Sequence, residues 1–242
     1  MPRMGILHAA RGAAMTQGRI LVIDDEPAIR RLLRSTLGVQ DYTVLEAAGV
    51  KQALEVLGQE KVDLIILDLG LPDGDGFEVI EKLRPASQTP IIILSSRDDE
   101  TGKVRALDAG ADDYVTKPFG VEELVARIRA ALRHRVQAQG GKPLFQIDGL
   151  SVDLVHRRIV RDGAEIKLSP KEYDILQQLV IHAGKVLTHR HLLREVWGSQ
   201  NDDDVAYLRV YIRQLRSKLE ADPARPALIL TEPGVGYRLR VS

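Results

Sequence analysis

Residues 61–76 read KVDLIILDLGLPDGDG. The apolar run Leu64 to Leu67 ends on a carboxylate, Asp68, and the chain then breaks into glycine and proline. A run this short and this uniformly apolar is a strand without a wet face, so it belongs to a sheet covered on both sides. In an open parallel sheet, ligands bind beyond the carboxyl ends of the strands. A buried strand that stops on an aspartate therefore presents that aspartate to a site.

The same alternation extends outward from this strand. RILVID, YTVLEA, VDLIILD, PIIILSS and DDYVTK are strand-like; EPAIRRLLRSTL, VKQALEVLGQ, DGFEVIEKLR, ETGKVRALDAG and VEELVARIRAALRH carry apolar residues at helical spacing. Single helices between strands imply parallel pairing with right-handed crossovers. Residues 19–135 are thus a (βα)5 unit, an α/β fold with a doubly wound parallel sheet.

Composition narrows the function. The 242 residues, 44% hydrophobic and 28% charged, suit two ordinary globular domains. There is no cysteine, which excludes disulfides, zinc-thiolate sites and thiol nucleophiles. No apolar run approaches the roughly 18 residues of a membrane span. Lys and Arg number 34 against 34 Asp and Glu, so charge alone does not point to nucleic acid. Residues 1–18 read as a disordered or over-extended start, with Met15 as the initiator; the apolar core Ile6–Leu7 is too short for a signal peptide.

Residues 136–144 are polar and glycine-containing, as expected of a linker, and the texture changes after them. Residues 145–242 open with short strands, FQIDGLSVDLV and RIVRDGAEIKL, followed by three helical segments and a closing hairpin around Pro233-Gly234 and Gly236. Ser169 and Glu172 form a capping box with Pro170 at the first helical position. In DVAYLRVYIRQLRSKLE, Leu208, Ile212, Leu215 and Leu219 make one buried stripe. Arg209, Arg213 and Arg216 lie about 100° round from it, with Gln214 farther round. A helix anchored on one side and armed with arginines on the other suits a DNA groove, and the hairpin after it is a wing.

The strand ends converge on chemistry. Asp24 and Asp25 end the first strand, Asp68 the third and Ser95 the fourth, while Lys117 follows the fifth. Each alone is an ordinary turn or cap residue, but four strand ends at one edge are a site. Clustered carboxylates need a cation, and all-oxygen ligation suits Mg2+. A lysine and a serine then offer a point charge and a hydrogen bond to a phosphoryl oxygen. Asp68, on the central strand, is the expected nucleophile.

These segments carry a resemblance. ILVIDDEPAIR, LIILDLGLPDGDG, PIIILSSRDDE and GADDYVTKPF resemble, in order, the signature segments of response-regulator receiver domains of the flavodoxin/CheY-like fold. The resemblance implies that Asp24, Asp25, Asp68 and the backbone carbonyl of Gly70 hold Mg2+, and that Asp68 accepts phosphoryl from a sensor histidine kinase. It also implies that Ser95 and Tyr114 are the switch residues and that Lys117 precedes a cis-proline, Pro118. The second half resembles the winged helix-turn-helix effector of the OmpR/PhoB class. This implies binding of double-stranded DNA at tandem promoter half-sites, with Arg209, Arg213, Gln214, Arg216 and Arg238 as contacts. Pro233 stands where many members have a wing arginine.

The class further implies a homodimer on phosphorylation, through Lys103, Asp112, Asp113, Glu123, Arg127 and Arg129, in a cytoplasmic protein that makes no membrane contact. LDLGLPDGDG, YLRVYIRQLRSKLEADPARP and TEPGVGYR resemble potassium-transport regulators of the Kdp type, which implies control of potassium-uptake genes. The expected function is that of a transcription factor, an enzyme only toward its own phosphoryl group. Two alternatives are a Mg2+-dependent phosphatase with an aspartyl nucleophile, which needs a general acid and a substrate cap not found in the sequence, and a receiver with a protein-binding output domain.

Overall fold

The computed structural model describes residues 17–96, 100–198 and 204–241. Residues 1–16, with Met15, lie outside the described residues; the first strand opens at Gly18, inside the segment assigned to the N-terminal extension. By internal packing the described chain divides into residues 17–145 with 153–158, and residues 146–152 with 159–241.

In the first unit the elements are β1 (Gly18–Ile23), α1 (Pro27–Val39), β2 (Tyr42–Ala47), α2 (Val50–Gln59), β3 (Leu64–Leu67), β4 (Gly70–Leu71), β5 (Gly74–Asp75), α3 (Phe77–Leu83), β6 (Ile91–Ser95), α4 (Glu100–Asp108), β7 (Asp113–Thr116) and α5 (Val121–Ala138). The five long strands form a parallel sheet in the order β2-β1-β3-β6-β7. Alternate residues of each strand supply the two cores. Leu21, Ile23, Ile65, Leu67, Ile91 and Ile93 pack with Val50, Ala53, Ile80 and Ala106. Ile20, Val22, Leu64, Ile66, Ile92 and Leu94 pack on the other face with Leu33, Leu37, Leu124 and Ile128. That is why the strands carry no polar alternation.

Two details escape the sequence pattern. β4 and β5 form a two-residue antiparallel ladder immediately after Asp68. α5 runs on through Val136, Gln137 and Ala138, into the expected linker, because Val136 continues the buried stripe of Ile128 and Leu132. Among the described residues no helix is long and apolar enough to cross a membrane.

The C-terminal elements are β8 (Leu144–Ile147), β9 (Leu150–Asp153), β10 (Arg158–Arg161), β11 (Ala164–Glu165), α6 (Pro170–Ile181), β12 (Val186–Thr188), α7 (His189–Trp197), α8 (Val205–Leu219), β13 (Ile229–Glu232) and β14 (Gly236–Leu239). The capping box of α6 is formed: Glu172 N–H donates to Ser169 Oγ at 3.4 Å, and Ser169 N–H to Glu172 Oε2 at 2.5 Å. Leu208, Ile212, Leu215 and Leu219 are buried together with Leu176 and Leu179 of α6 and Leu192 and Leu193 of α7. β13 and β14 make the expected hairpin, joined by β12, which the sequence pattern does not mark, in the order β12-β14-β13. Gly234 sits at φ +74°, and a Cβ on Gly236 would fall 1.8 Å from the Leu187 carbonyl oxygen, so both turn positions require glycine.

Candidate functional site

β1, β3 and β7 end at one edge of the sheet, and backbone hydrogen bonds just past their last ladder residues hold the site's side chains in place. Asp24 N–H donates to Ala47 O at 3.1 Å, Asp68 N–H to Ile23 O at 2.8 Å, and Lys117 N–H to Ser95 O at 2.9 Å. The Lys117–Pro118 peptide is cis.

Lys117 Nζ reaches into the centre of this edge. It lies 2.6 Å from Asp68 Oδ2, 2.8 Å from Asp24 Oδ2 and 3.2 Å from Glu26 Oε1. Single oxygens of Asp24, Asp25 and Asp68 all fall within 4.8 Å of one another; Asp24 and Asp68 are buried and Asp25 faces solvent. Asp68 Oδ1 accepts the Gly70 N–H at 3.0 Å, and Asp24 Oδ1 the Glu26 N–H at 2.9 Å. Arg30 Nη1, one turn into α1, donates to the carbonyls of Asp24 at 2.5 Å and Asp25 at 3.0 Å.

The charges do not balance. Burial pushes the Asp24 carboxyl above its ordinary pKa, and the hydrogen bonds from Lys117 and from the Glu26 N–H only partly offset it. Burial works against the Lys117 ammonium, yet its hydrogen bonds to Asp24 and Asp68 outweigh burial and hold its pKa above the ordinary value. One ammonium thus serves several acidic groups in a largely dry site. The remaining donors are all carboxylate oxygens, which fits a hard divalent cation such as Mg2+.

The other expected residues distribute unevenly. Ser95 is buried at the end of β6, and the Tyr114 ring in β7 faces the Lys103 ammonium at 5.9 Å. Arg127 forks between Asp113, at 2.9 and 3.1 Å, and Glu123, at 2.7 and 2.9 Å. Asp112 stands apart from that cluster: its Oδ2 accepts from Arg84 Nη2 at 3.0 Å and the Ile91 N–H at 2.8 Å. Arg129 acts electrostatically on Tyr42 of β2. Residues two apart on a helix point about 200° apart, so Arg127 and Arg129 cannot share one face. Sequence reasoning missed Glu26 and Arg30; the signal was available, since both sit beside the acidic pair at i, i+4 spacing.

On α8, Arg209, Arg213 and Gln214 are exposed beside the buried stripe. Arg216 is half-buried and turned to the hairpin. Its Nε and Nη2 donate to Ile229 O at 3.1 and 2.6 Å, and Nη2 also to Thr231 Oγ1 at 2.7 Å. Arg238 is joined to Glu232 across the hairpin, with Nη2 2.8 Å from Oε1.

The chain matches the response regulator receiver domain over residues 20–129 and the C-terminal domain of transcriptional regulatory proteins over residues 163–239. It is a response regulator of the OmpR/PhoB class. This regulator is 49% identical over 219 residues to the KDP operon transcriptional regulatory protein KdpE of Escherichia coli (strain K12), covering 90% of this chain and 97% of the relative. It is 48% identical over 220 residues to the transcriptional regulatory protein KdpE of Mycobacterium tuberculosis (strain ATCC 25618 / H37Rv), with the same coverage. The solved response regulator DrrB of Thermotoga maritima, an OmpR/PhoB homologue, is 31% identical, covers 93% of this chain and 100% of its own, and has a TM-score of 0.44. A receiver joined to this DNA-binding domain implies phosphorylation by a histidine kinase and binding to DNA. Receiver domains bind Mg2+ at an acidic cluster of the kind that Asp24, Asp25 and Asp68 form. Neither match favours the phosphatase or the protein-binding output.

Proposed function

We propose that Asp68 is the phosphoacceptor of a cytoplasmic regulator of potassium-uptake genes. The observation that carries the chemistry is Lys117 Nζ, held 2.6 Å from Asp68 Oδ2 in a cluster of buried acid. An Asp68 oxygen forms its bond to phosphorus as the P–N bond of the kinase phosphohistidine breaks, and the imidazole takes up a proton as it leaves. Lys117 passes from the carboxylate to a phosphoryl oxygen. Asp24, Asp25, Asp68 and the Gly70 carbonyl would hold Mg2+, which would neutralise charge on the phosphoryl oxygens. The same groups, with water as nucleophile, give a slow self-dephosphorylation. Catalysis is by position and electrostatics, with no general acid needed.

Ser95 hydrogen-bonds the new phosphoryl, Tyr114 follows it inward, and the receiver population shifts toward a dimer formed through α4, β7 and α5. Lys103, Asp113, Glu123 and Arg127 make that face, and Arg127 exchanges its own Asp113 and Glu123 for those of the second copy. We assign the elements from β1 to the end of α5, residues 18–138, to the receiver and those from β8 onward to the effector, with the segment between Ala138 and Leu144 as the tether that lets two effectors occupy tandem half-sites. Arg209, Arg213 and Gln214 face the groove. The potassium regulon rests on the likeness to the two KdpE proteins.

Asp68→Asn tests the assignment. It keeps the fold and abolishes labelling by acetyl phosphate in Mg2+; undiminished labelling refutes the assignment. Selecting fragments of the source genome with the phosphorylated protein tests the regulon, and recovery of operators unrelated to potassium uptake counts against it.

A further inference from the structure

α2 begins without a cap of its own. Its N-cap residue is Gly49, in extended backbone, and no side chain from that position reaches the first turn. The free N–H groups of Val50 and Lys51 donate instead to Asp73, at 2.8 Å to Oδ1 and 3.0 Å to Oδ2, from 23 and 22 residues away. Those N–H groups of Lys51 and Val50 also hold the Asp73 carboxyl below the ordinary carboxylate range.

Gly49 and Asp73 fit as a pair. A Cβ on Gly49 would fall 2.3 Å from Asp73 Oδ1, so the missing side chain is what admits the foreign carboxylate. Asp73 sits with Pro72 at the tip of the β4–β5 ladder, in which Leu71 pairs with Gly74 and Gly70 with Asp75. Gly70 N–H in turn bonds Asp68 Oδ1 at 3.0 Å. A connected path therefore runs from the first turn of α2 to the Asp73 carboxylate by hydrogen bonds, along the paired backbone of the β4–β5 hairpin to Gly70, and from the Gly70 N–H to the carboxylate of Asp68. The Asp73 carboxylate is engaged by the α2 N–H groups, and so it pins the loop that would supply the Gly70 carbonyl.

We infer that Asp73 is a positioning residue for the phosphoacceptor site, holding the Gly70 backbone in place for a divalent cation by borrowing the N-terminus of α2. The inference rests on the Mg2+ role proposed for Gly70. An ordinary cap would serve the helix alone, and the two roles separate experimentally. In Asp73→Ala both are lost. In the double variant Gly49→Ser, Asp73→Ala, the serine caps α2 from its own N-cap position, while the loop stays untethered.

The experiment titrates full-length protein with Mg2+, following the amide resonances of Asp25 and Gly70, and measures receiver melting by calorimetry. Asp73→Ala should weaken Mg2+ binding by roughly tenfold, as loss of a supporting shell typically does, and lower the melting temperature. The double variant should regain the melting temperature and keep the weakened Mg2+ binding. Wild-type Mg2+ affinity in Asp73→Ala, or recovery of both quantities in the double variant, overturns the inference. A wild-type protein that binds no Mg2+ overturns the metal reading itself, and the inference with it.

Discussion

Arg216 and Arg213 lie on the same helix and, in sequence, on the same stripe, yet their replacement by alanine should have opposite consequences. The register of the hairpin explains why. Arg240 N–H donates to Leu228 O, so the next pair, Ile229 and Leu239, turns its backbone groups away from the ladder. β13 is an edge strand, and the outward groups of Ile229 are taken by α8 and the residue just after it: the carbonyl by Arg216 and the N–H by Glu220 Oε1 at 2.8 Å. Arg216→Ala removes a charged donor and leaves a carbonyl on a fully buried residue unpaired. These are two views of one loss, about 2–3 kcal/mol, or a fall in melting temperature of roughly 10–20 °C for a domain of this size. Trp197 is the single tryptophan and packs between Tyr207 and Tyr211, so its fluorescence in urea follows this unit of the full chain. Arg213→Ala should stay within about 0.5 kcal/mol of wild type and should weaken DNA binding. A wild-type urea midpoint for Arg216→Ala would refute the reasoning.

Lys117→Met removes the ammonium from between Asp24 and Asp68, whose side chains are 2% and 9% exposed, and should cost about 3 kcal/mol in the absence of divalent cation. Excess Mg2+ should recover most of it in calorimetry, and an equal loss with and without Mg2+ would count against the shared-cation argument. His182 is held below its ordinary pKa first by burial, then by His191, whose ring is 5.7 Å away, and by Lys185, against an opposing Glu195. The folded form then binds fewer protons than the unfolded one below the ordinary histidine value of 6.5, so this contribution is full above that pH and is lost on acidification. Trp197-monitored stability should fall from about pH 7 to about pH 5.5, less steeply in His182→Gln; an unchanged slope would exclude His182 as the group responsible. Arg127→Glu sets a like charge against Asp113 and Glu123 and should abolish the beryllofluoride-induced dimer in sedimentation while leaving acetyl phosphate labelling intact; a dimer that persists would move the interface elsewhere.

The receiver fold and its acidic edge are legible in the sequence because each depends on local pattern. LIIL has no polar position and ends on Asp68, and strand ends in a parallel sheet gather at one edge whatever the details of packing. The residues that sequence misplaces depend on contacts between distant segments. The azimuth of Arg216 on its helix says nothing about where a hairpin 13 residues later will dock, and the half-buried guanidinium follows the hairpin. Asp112 reads as part of a charged face, whereas its carboxylate accepts from Arg84, 28 residues earlier, and from the Ile91 N–H at the start of β6. LPDGDG reads as a turn, and no local pattern says that Asp73 caps a helix 23 residues back. The separation of Arg129 from Arg127 is available from helical geometry alone.

The way α8 closes off β13 bears on how copies of this protein tolerate one another. An uncovered strand edge is a template on which a neighbouring molecule can add a strand, and DNA-binding domains are gathered at high local concentration on their sites. With the Ile229 groups consumed by Arg216 and Glu220, and the Leu228 and Ala227 N–H groups also held by Glu220, the stretch of that edge from Ala227 to Ile229 offers a second molecule few free donors or acceptors to pair with. The helix proposed to face the nucleic acid would thereby also keep crowded domains from fusing sheet to sheet along that stretch.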